Sequence, residues 1–269
     1  MLEKQRHEAI VEILAEQRFA SVHELSVALE TSEVTIRRDI VKLADADLIK
    51  RIRGGAESVA TESDNRKTSR IAGSAFQIDK SKNAAQKRMI AKKAVELCED
   101  GEAIIINGGS STFMMGEFLV NRRLTILTNS MVLAEALWET GENQISLPGG
   151  EIYRKQGIIL SSHEIDGTQN YSCSKMFMGT PGIGEFGVTE SDPLLIRAEQ
   201  KLRKQAEKLI VLADSSKLGK RSNFVLTQLD DVDVLITDYG ADPEVLRRFE
   251  QRGVEVIVAE QAPPQLRAS

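Results

Sequence analysis

Ser32-Glu33-Val34-Thr35-Ile36-Arg37-Arg38-Asp39-Ile40-Val41-Lys42-Leu43 reads as one helix with two unlike faces. At about 100° per residue, Ile36, Ile40 and Leu43 fall on one side, while Thr35, Arg38 and Lys42 gather on the other. Ser32 stands where a hydroxyl caps the first backbone N–H groups. Upstream, Ser21-Val22-His23-Glu24 has capping-box spacing for a short helix running to about Leu29, and Glu30-Thr31-Ser32 makes the turn between the two. Ile10, Ile13 and Leu14 recur at helical spacing and predict one more helix, of about three turns. A charged outer face by itself usually means only solvation. The order helix, helix, turn, basic helix is nevertheless what a helix-turn-helix needs, because its second helix must offer short polar and Arg side chains to major-groove edges.

Past Asp47 the pattern changes to Leu48-Ile49-Lys50-Arg51-Ile52-Arg53-Gly54-Gly55-Ala56, an alternating segment closed by a double glycine. It predicts a strand and turn, a wing whose Lys50, Arg51 and Arg53 reach phosphates or the adjacent minor groove. From Arg6 to Ala56 the chain resembles the winged helix-turn-helix of the DeoR family of bacterial transcription regulators. The resemblance rests on residues 32–39 followed by 51–56. It implies that Thr35, Arg37 and Arg38 enter the major groove, that Arg51 and Arg53 belong to the wing, and that Ser32 and Lys42 hold the DNA backbone.

The whole chain has 269 residues, which at about 150 per domain suggests two domains. Its net charge of −5 argues at first against nucleic acid. The charge is unevenly spread, however: −2 over residues 1–59, +6 over 60–93 and −9 over 94–269. Electrostatic footprints belong to surfaces rather than to whole chains, so the segments are read separately. Two cysteines, Cys98 and Cys173, cannot build a disulfide framework. With no signal segment and no apolar run near the ~18 residues a membrane helix needs, a cytoplasmic protein without a membrane partner is expected.

Residues 60–83 are polar and basic and are expected to be a linker. From Asn83, Ala85, Met89, Ile90, Ala94 and Leu97 open a second domain, 84–260, with a helix; residues 261–269 are expected as a flexible tail. Strand-like runs at 103–107, 124–128, 144–147, 175–178, 208–213, 232–237 and 255–258 alternate with helical segments around 112–119, 131–138, 195–207 and 243–251. This predicts an α/β fold with an open, mostly parallel sheet covered on both faces, where ligands bind beyond the carboxyl ends of the strands.

Small polar residues and glycines collect at those ends. Asn107-Gly108-Gly109-Ser110-Ser111-Thr112 joins a strand to a helix and is read as a phosphate cradle. Thr128-Asn129-Ser130, Gly149-Gly150 and Asp214-Ser215-Ser216-Lys217 occupy equivalent places, and Lys217 adds a cation. Each loop alone is more often turn chemistry; four at equivalent positions favour a ligand. Gly182-Ile183-Gly184-Glu185-Phe186-Gly187 matches a dinucleotide fingerprint literally, but no helix pattern follows it. His7, His23 and His163 are scattered, so neither a metal nor a cofactor is expected.

The second domain also resembles the DeoR effector domain, which is similar in fold to ribose-5-phosphate isomerase. The matches are residues 107–112, 128–130, 149–150, 198–201 and 214–217 with Gly219. Many members carry Gly-Ala-Asp-Gly where this chain has Gly179-Thr180-Pro181-Gly182, so the acid that the isomerases use is missing, although Glu199 and Asp214 are other acids to weigh as a base. Asn107, residues 128–130, Tyr153 and residues 159–161 resemble the ascorbate-utilisation repressor branch. The resemblance implies a DNA-binding repressor of a carbohydrate-utilisation operon, acting on double-stranded operator DNA and controlled by a phosphorylated sugar or sugar-acid such as ascorbate 6-phosphate; a single head offers few base contacts, so a homodimer or homotetramer is expected. The alternative is a sugar-phosphate isomerase or deaminase with an appended helix-turn-helix.

Overall fold

In a computed structural model of the chain, the described residues are 6–58, apart from 8, 12, 15–18, 30, 46 and 47, and 74–260, apart from 162. They belong to two units, divided between Thr68 and Ser69. The expected tail, 261–269, and residues 60–73 of the expected linker lie outside the described residues.

In the first unit, α1 is helical at residues 6, 7, 9–11, 13 and 14. It is followed by β1 (Phe19–Ser21), α2 (Val22–Ala28), α3 (Glu33–Asp45), β2 (Ile49–Ile52) and β3 (Gly55–Ser58). The capping box is formed: Ser21 Oγ accepts from Glu24 N–H at 3.1 Å and Glu24 Oε2 accepts from Ser21 N–H at 2.8 Å. Ile36, Ile40 and Leu43 of α3 are buried against Ile10, Leu14 and Leu25, each such side chain contributing roughly 1.5–3 kcal/mol. The wing is a three-stranded antiparallel sheet, β1-β3-β2. Its double glycine has two separate causes. Gly54 turns the chain at φ +87°, whereas a Cβ on Gly55 would lie 2.3 Å from Ala20 O.

The second unit begins with α4 (Ser74–Ser81) and α5 (Ala84–Glu96). Helix α4 corrects the expected extent of the linker, 60–83: the ring of its buried Phe76 packs edge-on to Phe113, centroids 5.5 Å apart. There follow β4 (Ala103–Ile106), α6 (Ser110–Phe113), α7 (Gly116–Leu119), β5 (Thr125–Thr128), α8 (Met131–Trp138) and β6 (Gln144–Ser146). A hairpin, β7 (Glu151–Tyr153) and β8 (Ile158–Leu160), precedes β9 (Cys173–Gly179), β10 (Gly182–Gly184), β11 (Gly187–Glu190) and α9 (Pro193–Arg203). The chain finishes with β12 (Ala206–Leu212), β13 (Phe224–Thr227), β14 (Val234–Asp238), α10 (Pro243–Gln251) and β15 (Glu255–Ala259).

Seven of these strands form one parallel sheet in the order β15-β14-β12-β9-β4-β5-β6. All seven expected strands are in it, with ends shifted by one or two residues. The period of two sends Ile104 and Ile106 to one face, under α5, α7 and α8, and Ile105 to the other, with Leu202 of α9 and Phe249 of α10. Cys98 is in the first of these layers and Cys173 in the second. The chain builds β4, β5 and β6 outward in one direction, then returns to lay β9 on the opposite side of β4. The strand order thus reverses between β4 and β9, the kind of place where open α/β sheets hold their ligands. Among the described residues, no helix is long and apolar enough to cross a membrane.

Candidate nucleic-acid interface and ligand site

On the outer side of the first unit, Ser32, Arg37, Arg38, Lys42, Arg51 and Arg53 are exposed and Thr35 is half-buried. Ser32 Oγ caps α3 by accepting from Thr35 N–H at 3.2 Å and lies 2.9 Å from Thr35 Oγ1. Arg37 reaches back one turn to Glu33, 3.0 Å away, and this hydrogen bond, with a second from His23, holds the Glu33 carboxyl below its usual range. Arg38 and Lys42 point from the side of α3 opposite its apolar stripe.

Sequence reasoning missed what holds α3 from behind. Asp39 lies on the buried face, and its carboxylate accepts from Arg6 Nε at 2.6 Å and Arg6 Nη2 at 3.1 Å, with His7 Nε2 at 3.0 Å. The signal was present: one carboxylate falls within the Ile36, Ile40, Leu43 stripe, and a buried charge needs partners.

In the second unit the hydrogen bonds converge on Asn107, which is fully buried at the end of β4, where the strand order reverses toward β9. Its Oδ1 accepts from Gly179 N–H at 3.0 Å and its Nδ2 donates to Glu199 Oε1 at 2.8 Å, so β4, β9 and α9 meet in one side chain. Gly108 N–H donates to Asn129 Oδ1 at 2.8 Å, which ties in the loop after β5. Thr112 Oγ1 donates to the carbonyls of Asn107 and Gly109, and Ser130 caps α8 through Leu133 N–H. The first intrahelical bond of α6 runs from Phe113 N–H to Gly109 O, 2.9 Å, so the amides of residues 110–112 precede it and point out of the helix start. A Cβ on Gly108 would lie 2.1 Å from Ile158 Cγ2, so the β7-β8 hairpin rests on the backbone here. The hairpin is held by Ile159 N–H to Asn129 O, 2.7 Å, and by Tyr153 Oη donating to Asp192 Oδ2, 2.8 Å.

The other expected ligand residues are tied differently. Gly149 N–H donates to Asp166 O at 3.0 Å, and Gly150, beside it, packs under Leu160. Lys217 ends a 3-10 turn, Ser215–Lys217, after β12 and is half-exposed. Lys201 pairs with Asp166 at 2.9 Å. Burial works against the Asp166 charge, but hydrogen bonds from Thr168 and Lys201 outweigh it and bring its pKa to about 2. A hollow with room for about one water lies among Asn129, Ser161, Asp166, Thr168 and Lys201. A larger one, about 310 Å³, lies between Phe186 and the Val245 and Phe249 side of α10; of the expected ligand loops, only Gly219, beyond Lys217, reaches it. The Gly182–Gly187 stretch forms strands β10 and β11 rather than a strand-to-helix turn.

The sequence alone leaves Glu199 outside the ligand loops; the fold brings it beneath Asn107. Burial, and then the charge of Glu190, raises its pKa to about 8 against the opposing Asn107 hydrogen bond. The folded protein therefore keeps a proton between pH 4.5 and 8 that the unfolded chain has released, and stability falls as pH rises through that window, by up to ~1.4 kcal/mol per pH unit. Glu199→Gln, neutral at every pH and still an acceptor for Asn107, is expected to flatten this slope and to gain most at pH 8. Denaturant midpoints from pH 5 to 8.5 measure it; parallel slopes for parent and variant refute it.

A winged helix-turn-helix joined to an α/β domain whose sheet reverses its strand order at Asn107 defines a transcription regulator that carries its own sensor. Residues 6–62 match the DeoR-like helix-turn-helix domain and residues 82–239 match the DeoR C terminal sensor domain. The chain belongs to the DeoR family. It is 34% identical over 259 residues, 96% of this chain and 99% of the relative, to the HTH-type transcriptional regulator UlaR of Shigella flexneri serotype 5b (strain 8401). The UlaR of Escherichia coli O1:K1 / APEC matches to the same extent. With relatives that are named regulators, the protein is a DNA-binding transcription regulator rather than an enzyme, and the isomerase or deaminase alternative is not favoured. Among solved structures, ribose 5-phosphate isomerase A of Methanocaldococcus jannaschii matches with a TM-score of 0.39 and 19% identity over 51% of this chain and 55% of that one. eIF2B beta of Chaetomium thermophilum matches at 0.37 and 18%, over 59% and 49%. At such scores neither likeness bears on activity.

Proposed function

We propose that the protein represses a carbohydrate-utilisation operon and releases or tightens its grip when a phosphorylated sugar or sugar-acid, of the ascorbate 6-phosphate kind, binds at the carboxyl ends of β4 and β9. The observation that carries this reading is Asn107, one buried amide that ties together β4, β9 and α9 at the place where open α/β sheets hold ligands. The phosphate sits against the amides of residues 110–112 and the Lys217 ammonium; Thr128, Asn129, Ser130 and the Gly149-Gly150 loop face the rest of the molecule. Thr35, Arg37 and Arg38 read base edges, Ser32 and Lys42 hold the backbone, and Arg51 and Arg53 of the wing hold phosphates. Residues 1–59 form the reading domain and 84–260 the sensing domain. A single reading helix offers few base contacts, so the protein acts in the cytoplasm as a homodimer or homotetramer on half-sites about one helical turn, ~34 Å, apart.

A ligand changes operator affinity only through its differential affinity for two states, typically ~1–3 kcal/mol of coupling. The test is operator binding to the DNA upstream of the protein's own gene, titrated with a panel of sugar phosphates. At least one is expected to shift affinity by fivefold or more, and Lys217→Ala to weaken that effector about tenfold. Indifference to every phosphate in the panel refutes the sensing function.

A further inference from the structure

Helix α4 touches both loops assigned to the phosphate. On one side Phe76 packs against Phe113, the last residue of α6, and the Lys80 ammonium lies 4.5 Å from the same ring. On the other side, the turn between α4 and α5 reaches the loop after β12. Asn83, in this turn, is the one non-glycine among the described residues with positive φ, at φ 53° and ψ 38°. It occupies the N-cap position of α5, yet its side chain makes no capping bond. Instead Nδ2 donates to Asp214 Oδ1 at 3.0 Å and lies 3.2 Å from Ser216 Oγ, across about 130 residues of sequence. An Asn that forgoes its local cap and accepts a left-handed backbone is held there by the distant contact.

One turn into α5, Lys87 is 3% exposed. Its Nζ donates back to Lys82 O at 2.6 Å and to Asp79 O, which fastens the last turn of α4. An ammonium has three donors, and these bonds engage two. Asp214 meanwhile keeps its second oxygen, Oδ2, buried without a hydrogen-bond partner. Burial lowers the Lys87 pKa; the Asp214 charge favours the ammonium and the Lys217 charge opposes it. Lys87 is thus held by the carbonyls of Asp79 and Lys82 while it feels two opposite charges of the loop after β12. An anion that neutralises Lys217 removes the opposing one.

We propose that Asn83 and Lys87 are positioning residues that carry effector occupancy at the Asp214–Lys217 turn to helix α4, and through it to the segment leading back to the DNA-binding unit, an inference that rests on the sensing function above. The effector touches neither residue. Lys87 holds the end of α4 and Asn83 holds the turn after it; an anion on Lys217 changes the field at Lys87 and with it the grip on Asp79 and Lys82.

The experiment uses the full chain with Asn83→Gly, which keeps the positive φ and deletes the amide, and Lys87→Met, which keeps the stem and deletes the charge. Operator affinity is measured with and without the sugar phosphate to which the parent responds, and effector affinity by calorimetry. The expected result is that the effector shifts operator affinity by less than twofold in both variants, with effector affinity within threefold of the parent; a shift within twofold of the parent's in both overturns the proposal. Amide exchange without any effector supplies an independent readout. Asn83→Gly is expected to speed exchange in residues 74–81 and 214–217 together, and a change confined to residues 82–84 overturns the link. If the parent answers to no phosphate, the sensing function falls, and the exchange result still decides whether the two segments are joined.

Discussion

Asp39→Ala is expected to destabilise the DNA-binding unit by about 2–3 kcal/mol and to weaken operator binding at temperatures where the sensor is still folded. The carboxylate is 3% exposed, while its partners Arg6 and His7 are 12% and 21% exposed. Breaking a fully buried pair costs ~3–5 kcal/mol, and partial access of water to Arg6 and His7 lowers that figure. Burial by itself would raise the Asp39 pKa, but hydrogen bonds from Arg6 and His7 outweigh it and hold the pKa below its ordinary value. The contribution is therefore complete above the unfolded carboxyl's pKa, near 4, and is lost as pH falls through the folded value. Asp39→Asn, which keeps an acceptor and removes the charge, is expected to lose this acid sensitivity. Urea unfolding followed by helical signal between pH 2.5 and 6 measures both effects; an alanine variant within 0.5 kcal/mol of the parent contradicts the structural account.

Arg38→Ala and Arg37→Ala are each expected to weaken specific operator binding by roughly 5- to 150-fold, the ~1–3 kcal/mol of a good base contact, while leaving an unrelated duplex almost unaffected. Arg37 must leave Glu33 to reach a base, so its loss falls at the lower end of that range. Arg53→Ala, in the turn of the wing, is expected instead to weaken both duplexes alike and to reduce the salt slope by about one ion. Equal losses on both duplexes for Arg38→Ala would place that residue on the backbone, and no loss on either would remove α3 from the interface.

The inner strands of the sheet were readable because parallel strands buried on both faces appear as unbroken apolar runs, as in residues 103–106 and 234–236. Helices α8 and α10 lie where the sequence placed helical segments, around 131–138 and 243–251. The β7-β8 hairpin was not readable. Each of its strands has three residues, and Ile152 remains half-exposed, so no period develops. Helix α4 escaped for a related reason: its run of polar residues around Phe76 reads as linker until Phe113 is brought alongside. The glycines of 182–187 match a dinucleotide fingerprint in letters only, and the fold agrees: Gly187 turns a tight hairpin at φ +100°, and the ring of Phe186 lies where a Cβ on Gly184 would go.

The ligand loops were visible singly, as glycines and hydroxyls after strands. Their linkage was not, because Asn107 finds Glu199 across 92 residues of sequence. Nothing local marks an acid in the middle of α9 as different from a solvated one. Asn83 and Lys87 were hidden in the same way: a basic, polar turn looks like surface until the loop after β12 is laid against it.

The two cysteines give each layer of the sensor its own clock. Burial and then Glu102 push the Cys98 thiol up to about 12, and burial also raises Cys173, so neither forms thiolate readily in the native fold. Cys98 lies on the α5 side of the sheet and Cys173 on the α9 and α10 side. A thiol reagent therefore waits for the layer to breathe before it can react, and the two reaction rates time the opening of the two sides separately. A ligand that stiffens only one side slows one clock and leaves the other running.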